Sequence, residues 1–210
     1  MAELANDALA WCLQWADQVR SSMAEVEWRM KGHVPSWDEC MAVTVPSFGL
    51  GPITFTSFCL LGPELSEEVV RSREYGEMIR CVATCSRFLN DLRTYEREEE
   101  QGKTNSVLLL APRYGGSIEA AKREARSALA VSRRELLRMV VRDSGAVPRP
   151  MRQEFWNIYK VSHLMYSEED GFTSTNRDTL RAANAVVQEP LAWRLGGKID
   201  SPAAAASDKL

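Results

Sequence analysis

From residue 3 to residue 31, apolar side chains return every three or four positions: Leu4, Ala8, Cys12, Trp15, Val19, Met23, Val26 and Met30. That spacing is the signature of an amphipathic helix with one buried face, and the same period recurs through most of the chain. Residues 72–100 and 117–143 read as two further long helices, the latter with Leu129, Leu136, Leu137 and Val140 on its apolar face. Pro148 sits near the start of another helix, which carries Phe155, Trp156, Tyr159, His163 and Tyr166. A last helix is expected over about 176–190. The expected fold is therefore all-α.

The breakers between these helices are specific. Ser36 followed three residues later by Glu39 is a capping box that starts a second helix. That helix cannot run smoothly, because Pro46, Gly49, Gly51 and Pro52 fall close together. Proline removes a backbone donor and crowds the preceding turn, and glycine lowers helix propensity. A break is expected within residues 46–52, with helix resuming to about Leu61 and a turn at Gly62-Pro63. Backbone carbonyls loosened by such a break are costly to bury unless something uses them. Gly102 is placed to cap the helix over 72–100, and the segment 167–175 reads as a polar loop.

Composition excludes some functions. The net charge is −3 with no basic block, which argues against a nucleic-acid binder. No apolar run comes near the roughly 20 residues that cross a bilayer, so no membrane span is expected. The five cysteines, Cys12, Cys40, Cys59, Cys81 and Cys85, lie mostly among apolar neighbours and read as reduced, buried thiols. Without further Cys or His at ligand spacing, Cys81 and Cys85 do not make a zinc site.

The chemistry concentrates in Asn90-Asp-Leu-Arg-Thr94-Tyr-Glu-Arg-Glu98. Each step of four residues advances a helix by about 400°, so Asn90, Thr94 and Glu98 drift only about 40° per step and form one stripe. An amide oxygen, a hydroxyl and a carboxylate are hard donors of the kind that suit Mg2+. The same stripe also reads as an ordinary solvated helix face. Arg87 lies about one turn earlier, where a guanidinium pairs with an anion held by the metal. Lys103 does the same if the chain folds back. Asp91 points about 100° away from Asn90 and is the weaker ligand candidate. His163, on an apolar face, reads as a core histidine rather than a base.

Asn90-Asp-Leu-x-Thr94-x-x-x-Glu98, with Arg87 before it, resembles the second metal-binding motif of class I terpene synthases. The likeness extends through Glu25-Val-Glu-Trp28, Phe48-Gly-Leu-Gly-Pro-Ile53, Gly62-Pro-Glu-Leu-Ser-Glu-Glu68, Gly102-Lys-x-Asn105 and Asp170-Gly-Phe172. These segments are similar to plant diterpene synthases of the ent-kaurene synthase type.

The resemblance implies the C-terminal, metal-binding part of the catalytic α-domain over residues 1–192, with a poorly ordered tail over 193–210. It implies Mg2+ held by Asn90, Thr94 and Glu98, and diphosphate bound by Arg87 and Lys103. It implies a substrate pocket near Ser47, Gly49, Ile53, Tyr166 and Asp170, with the loop at Asp170 closing over its mouth. The implied substrate is a prenyl diphosphate of the copalyl or geranylgeranyl class, ionised and cyclised against an apolar wall to which Phe155, Trp156 and Tyr159 are candidates. The implied location is the plastid, although nothing in this chain encodes import.

The sequence departs from the family in carrying no Asp-Asp-x-x-Asp motif. It therefore reads as a fragment expected to bind Mg2+ and diphosphate weakly and to turn over slowly or not at all. The alternative reading is a catalytically inactive helical fragment or interaction module that retains the fold.

Overall fold

A computed structural model describes residues 2–61, 66–171, 173, 180, 181 and 184, with side chains from residue 12 onward apart from that of Leu61. The expected turn at Gly62-Pro63, the tail over 193–210 and most of the last helix lie outside these residues. Two compact units divide the chain, Met1–Thr175 and Asn176–Leu210. In the second, the described residues 180, 181 and 184 are helical. The first unit holds eight α-helices and one 3-10 turn among its described residues: α1 (Ala2–Lys31), α2 (Trp37–Ser47), α3 (Leu50–Leu61), α4 (Glu67–Arg71), α5 (Arg73–Glu100), α6 (Ser106–Leu110), the turn Ala111–Tyr114, α7 (Ile118–Val141) and α8 (Arg149–Met165).

The sequence signals for starts and stops act as their chemistry requires. Ser36 and Glu39 form the reciprocal capping box, with Glu39 N donating to Ser36 Oγ at 3.3 Å and Ser36 N to Glu39 Oε2 at 2.8 Å. The break falls at Phe48–Gly49, where Gly49 takes φ +79°, a conformation that side chains resist. A Cβ there would also lie 2.6 Å from the Gln18 amide of α1, so the break doubles as a site of close approach. Pro52 does not break α3. It is the third residue of that helix, where its missing N–H has no intrahelical partner to lose. At the end of α5, Gly102 adopts φ +61°, Gly102 N donates to Glu99 O at 3.0 Å, and Lys103 N donates to Glu98 O at 2.8 Å. This Schellman closure turns the chain back along α5.

The larger core lies where α3, α5, α7 and α8 meet. Phe58, Tyr75 and Phe155 pack tilted or edge to face, with centroids 5.3–6.2 Å apart. They are surrounded by Met78, Leu136 and Met151. Each fully buried aromatic there stabilises by roughly 2–3 kcal/mol. A second cluster, Phe88, Val107, Leu110, Ala121 and Ala125, seats α6 between α5 and α7. Ser86 Oγ donates to Ser162 Oγ at 2.7 Å and ties α5 to α8.

Four expectations are corrected. Among the described side chains the apolar stripe of α1 is not buried: Trp15, Val19, Met23, Val26 and Met30 are 42–80% exposed, and Cys12 is exposed too. Helix α1 instead turns a polar and small-residue face inward, with Gln14, Gln18, Ser21, Glu25 and Trp28 partly covered. That face is occupied because Gln14 and Gln18 meet the glycines of the α2–α3 break and Glu25 meets Ser47 and Arg87. Leu137 is 41% exposed, one position off the buried face defined by Leu136 and Val140. His163 is at the surface, stacked on Tyr159 with centroids 6.0 Å apart. Finally, residues 37–60 taken together have a mean hydropathy of 1.3 and are long and apolar enough, by those measures alone, to cross a membrane. In the fold this stretch is two helices interrupted at Phe48–Gly49, and nearly half of it is packed inside the protein.

Candidate metal and diphosphate site

Helix α5 brings the stripe together. Thr94 and Glu98 are only 2% and 8% exposed, so they are not a solvated helix face. The Thr94 hydroxyl donates to Asn90 O at 3.1 Å and lies within hydrogen-bonding reach of the Glu98 carboxyl. The Asn90 side chain hydrogen-bonds Tyr166 at the end of α8. Burial pushes the Tyr166 phenol up to about 12, against the pull of that Asn90 contact.

Glu98 is fixed by a residue that sequence reasoning quoted without giving it a role. Asn105, 1% exposed, donates from Nδ2 to Glu98 Oε2 at 2.8 Å and to Asp91 O at 3.1 Å. Its Oδ1 accepts from Val107 N at 2.9 Å and so caps α6. Asp91 faces away from the stripe as its position requires. Its Oδ2 accepts from Ser106 N at 2.8 Å, and its Oδ1 lies 2.8 Å from Arg87 Nε, in ion-pair contact but out of line for a hydrogen bond. Asparagine is a common cap, and no pattern in the sequence alone marks one that also reaches two acidic neighbours on another helix.

Arg87 is 7% exposed, and all its edges are engaged. Nε faces Asp91, Nη2 donates to Thr104 O at 2.7 Å, and Nη1 lies 3.7 Å from Glu25 Oε1. Burial opposes its charge, but Asp91, then Glu25 and Glu98, outweigh that and hold the guanidinium above its ordinary value. Glu98 goes the other way. Burial, then the negative charge of Asp91, raises its carboxyl above the usual range, and Asn105, Arg87 and Thr94 only partly compensate. A buried carboxyl short of positive charge, flanked by a hydroxyl and an amide, fits a hard divalent cation.

A cavity of about 750 Å3 opens at Arg87 and Tyr166, and Asn90, Thr94 and Glu98 are not on its lining. Of the predicted residues, Ser47, Ile53, Arg87, Lys103 and Tyr166 line it together. Cations occupy part of its wall (Arg29, Arg87 and Lys103), while Val26, Leu50, Ile53, Ile158 and Val161 make an apolar surface elsewhere. Gly49 is not on the lining but is the hinge between two residues that are, Phe48 and Leu50. Asp170 is not on the lining either. It is 8% exposed, pairs with Arg97 Nη2 at 2.8 Å and accepts from Thr173 Oγ1 at 2.8 Å, which ties its turn to α5. Phe155 and Tyr159 belong to the core. Another cavity, about 850 Å3, is lined by residues of α1, α2, α3, α4, α5 and α7 and contains none of the predicted site residues.

Residues 5–135 match the family described as terpene synthase family 2, C-terminal metal binding. The chloroplastic dolabradiene synthase of Zea mays is 56% identical over 182 residues, which are 86% of this chain and 21% of that protein. The chloroplastic ent-kaur-16-ene synthase of Oryza sativa subsp. japonica is 48% identical over 179 residues, 84% of this chain and 24% of that protein. The chain thus spans about a fifth to a quarter of the length of these relatives. Among solved structures, limonene synthase with 2-fluorolinalyl diphosphate superposes with a TM-score of 0.74 at 20% identity, over 87% of this chain and 34% of that one. Isoprene synthase from grey poplar, Populus x canescens, in complex with three Mg2+ ions and dimethylallyl-S-thiolodiphosphate, gives 0.69 at 23% identity, over 85% and 34%. These likenesses show a shared all-α fold.

Proposed function

This chain belongs to the terpene synthase family through its C-terminal metal-binding part, and from that premise we propose that its cavity binds the diphosphate head of a prenyl diphosphate against Arg87 and a magnesium ion. The observation that carries this reading is a single cavity with a cationic wall at Arg29, Arg87 and Lys103 and an apolar wall at Val26, Leu50, Ile53, Ile158 and Val161. Such a cavity is complementary to an amphiphile with an anionic head and a hydrocarbon body.

Asn90, Thr94 and Glu98 would hold the metal. A magnesium ion there would supply Lewis-acid neutralisation of a departing diphosphate. Arg87 and Lys103 add fixed positive charge where that leaving group accumulates negative charge, and such preorganised charge acts strongly away from bulk water. The apolar lining would keep water from the hydrocarbon end, and Ser47 and Phe48, at the α2–α3 break, line the cavity as well. The relatives named above support a diterpenyl diphosphate, copalyl or geranylgeranyl, as the substrate class, and a plastid location.

Whether the chain also turns substrate over is a separate matter. The apolar stripe of α1 reaches the cavity at Val26 and is exposed from Cys12 to Met30 among the described side chains. That favours binding with slow or no cyclisation. The test is titration of Mg2+ with inorganic pyrophosphate into the chain and into an Asn90→Ala/Glu98→Ala variant, followed by product analysis with ent-copalyl and geranylgeranyl diphosphate. Saturable binding lost in the variant supports the site. Equal binding by both proteins refutes it, and robust diterpene formation refutes the expectation of slow turnover.

A further inference from the structure

We propose that the Glu25 carboxylate is a resident counter-anion of Arg87 that is displaced when diphosphate enters the cavity. The inference rests on the reading of Arg87 as a diphosphate ligand and adds a residue on another helix that controls access to it.

The three engaged edges of Arg87 are not equivalent. Asp91 is one turn along the same helix at 2.8 Å, is 1% exposed, and is itself locked by the Ser106 amide. Thr104 O, at 2.7 Å, belongs to the segment that Asn105 pins to α5. Neither partner can leave without dismantling the joint between α5 and α6. Glu25 differs in every respect. It comes from α1, lines the cavity, is 24% exposed at its side chain, and stands 3.7 Å from Nη1, beyond hydrogen-bonding distance. An anion that enters the cavity and seeks Arg87 therefore meets Nη1, and Glu25 is the group in its way.

The electrostatics make a resident anion useful. A buried guanidinium needs compensation, and removing a partner from such a charge is costly. Exchange of one carboxylate for a more highly charged diphosphate keeps Arg87 compensated throughout. The displaced Glu25 has a partner at hand, since Arg29 lies four residues on along α1 and lines the same cavity. The exchange also frees Ser47, whose hydroxyl donates to Glu25 at the end of α2, next to the hinge at Gly49. Anion arrival is thereby coupled to the backbone break that forms part of the cavity wall.

Glu25→Gln keeps an acceptor for Ser47 and removes the charge. Calorimetric titration of inorganic pyrophosphate in the presence of Mg2+ should show binding roughly tenfold tighter in the variant than in the wild type, a typical size for coupling between two sites. Its thermal midpoint without ligand should fall. These opposite movements separate a displaced anion from a merely structural glutamate, whose loss would weaken both properties. Detectable binding in the variant but not in the wild type also supports the proposal. Unchanged or weaker binding in the variant, or no binding by either protein, overturns it. Asn90→Ala/Glu98→Ala, titrated alongside, tests the metal-site reading separately: if pyrophosphate binding survives there, that reading fails while the Glu25 comparison still decides the exchange.

Discussion

Replacing Asn105 by alanine removes three hydrogen bonds at once. The cap on Val107 N contributes about 1 kcal/mol. The bond to the Glu98 carboxyl, at 2.8 Å and buried, is of the charged class at about 1.5–3 kcal/mol. The bond to Asp91 O contributes about 1 kcal/mol more. The variant should therefore lose about 3–5 kcal/mol, which for a chain of this size lowers the thermal midpoint by roughly 10 °C. Urea denaturation followed by far-ultraviolet circular dichroism measures the loss, provided the slope against urea is unchanged. Asn105→Ser restores a capping oxygen but lacks the reach to Glu98, so it should recover only about 1 kcal/mol of the total. A loss below about 1 kcal/mol for Asn105→Ala would show that the amide is an ordinary cap and that Glu98 is held by other groups.

Glu98→Gln tests the electrostatics of the same joint. A carboxyl whose folded pKa lies above its unfolded value costs stability as pH rises from about 4.5 through the folded value, and the full cost persists above it. The variant should therefore be more stable than the wild type at neutral pH, with the difference vanishing near about pH 4, while metal-dependent pyrophosphate binding falls at least about tenfold. Equal destabilisation at both pH values would refute the assignment. The thiols report on packing. Burial pushes Cys40 up to about 11 and Cys85 up to about 12, whereas Cys12 and Cys59 are exposed. Iodoacetamide at mildly alkaline pH, mapped by mass spectrometry, should modify Cys12 and Cys59 first and reach Cys40 and Cys85 only after unfolding. Early labelling of Cys40 would contradict the burial of α2.

What the sequence made legible was local. The capping box at Ser36, the break between Pro46 and Pro52, and the glycine stop at Gly102 each follow from backbone rules that act within a few residues, and each is in place. The stripe of Asn90, Thr94 and Glu98 was legible for the same reason, since helical geometry alone aligns it. The inward face of α1 was not. Apolar periodicity identifies a stripe that avoids water but says nothing about which partner is there to cover it. The five apolar residues from Trp15 to Met30 face outward because the α2–α3 break presents glycines and Ser47 to α1 and α5 presents Arg87, and those call for Gln14, Gln18 and Glu25. Asn105 was hidden for a related reason: its role depends on the Schellman turn that folds 103–106 back along α5, a consequence of geometry three residues before it.

That turn explains why stability and chemistry are joined at one place. Closing α5 at Gly102 returns Lys103 to the cavity that Arg87 lines, sets Thr104 O against Arg87, and delivers Asn105 to Glu98. The short helix that follows is anchored in the second apolar cluster by Val107 and Leu110, so the polar joint is braced by about two buried aliphatic side chains, each contributing roughly 1.5–3 kcal/mol. The groups that would face a cation and a diphosphate are thus held by packing that exists without either ligand. In such an arrangement charge rather than shape is imperfectly balanced: burial and Asp91 oppose the charge of Glu98, and Arg87 is compensated in part by a carboxylate from another helix. On the proposed reading, ligand binding would exchange charges within a frame already built, which is the condition for a preorganised site.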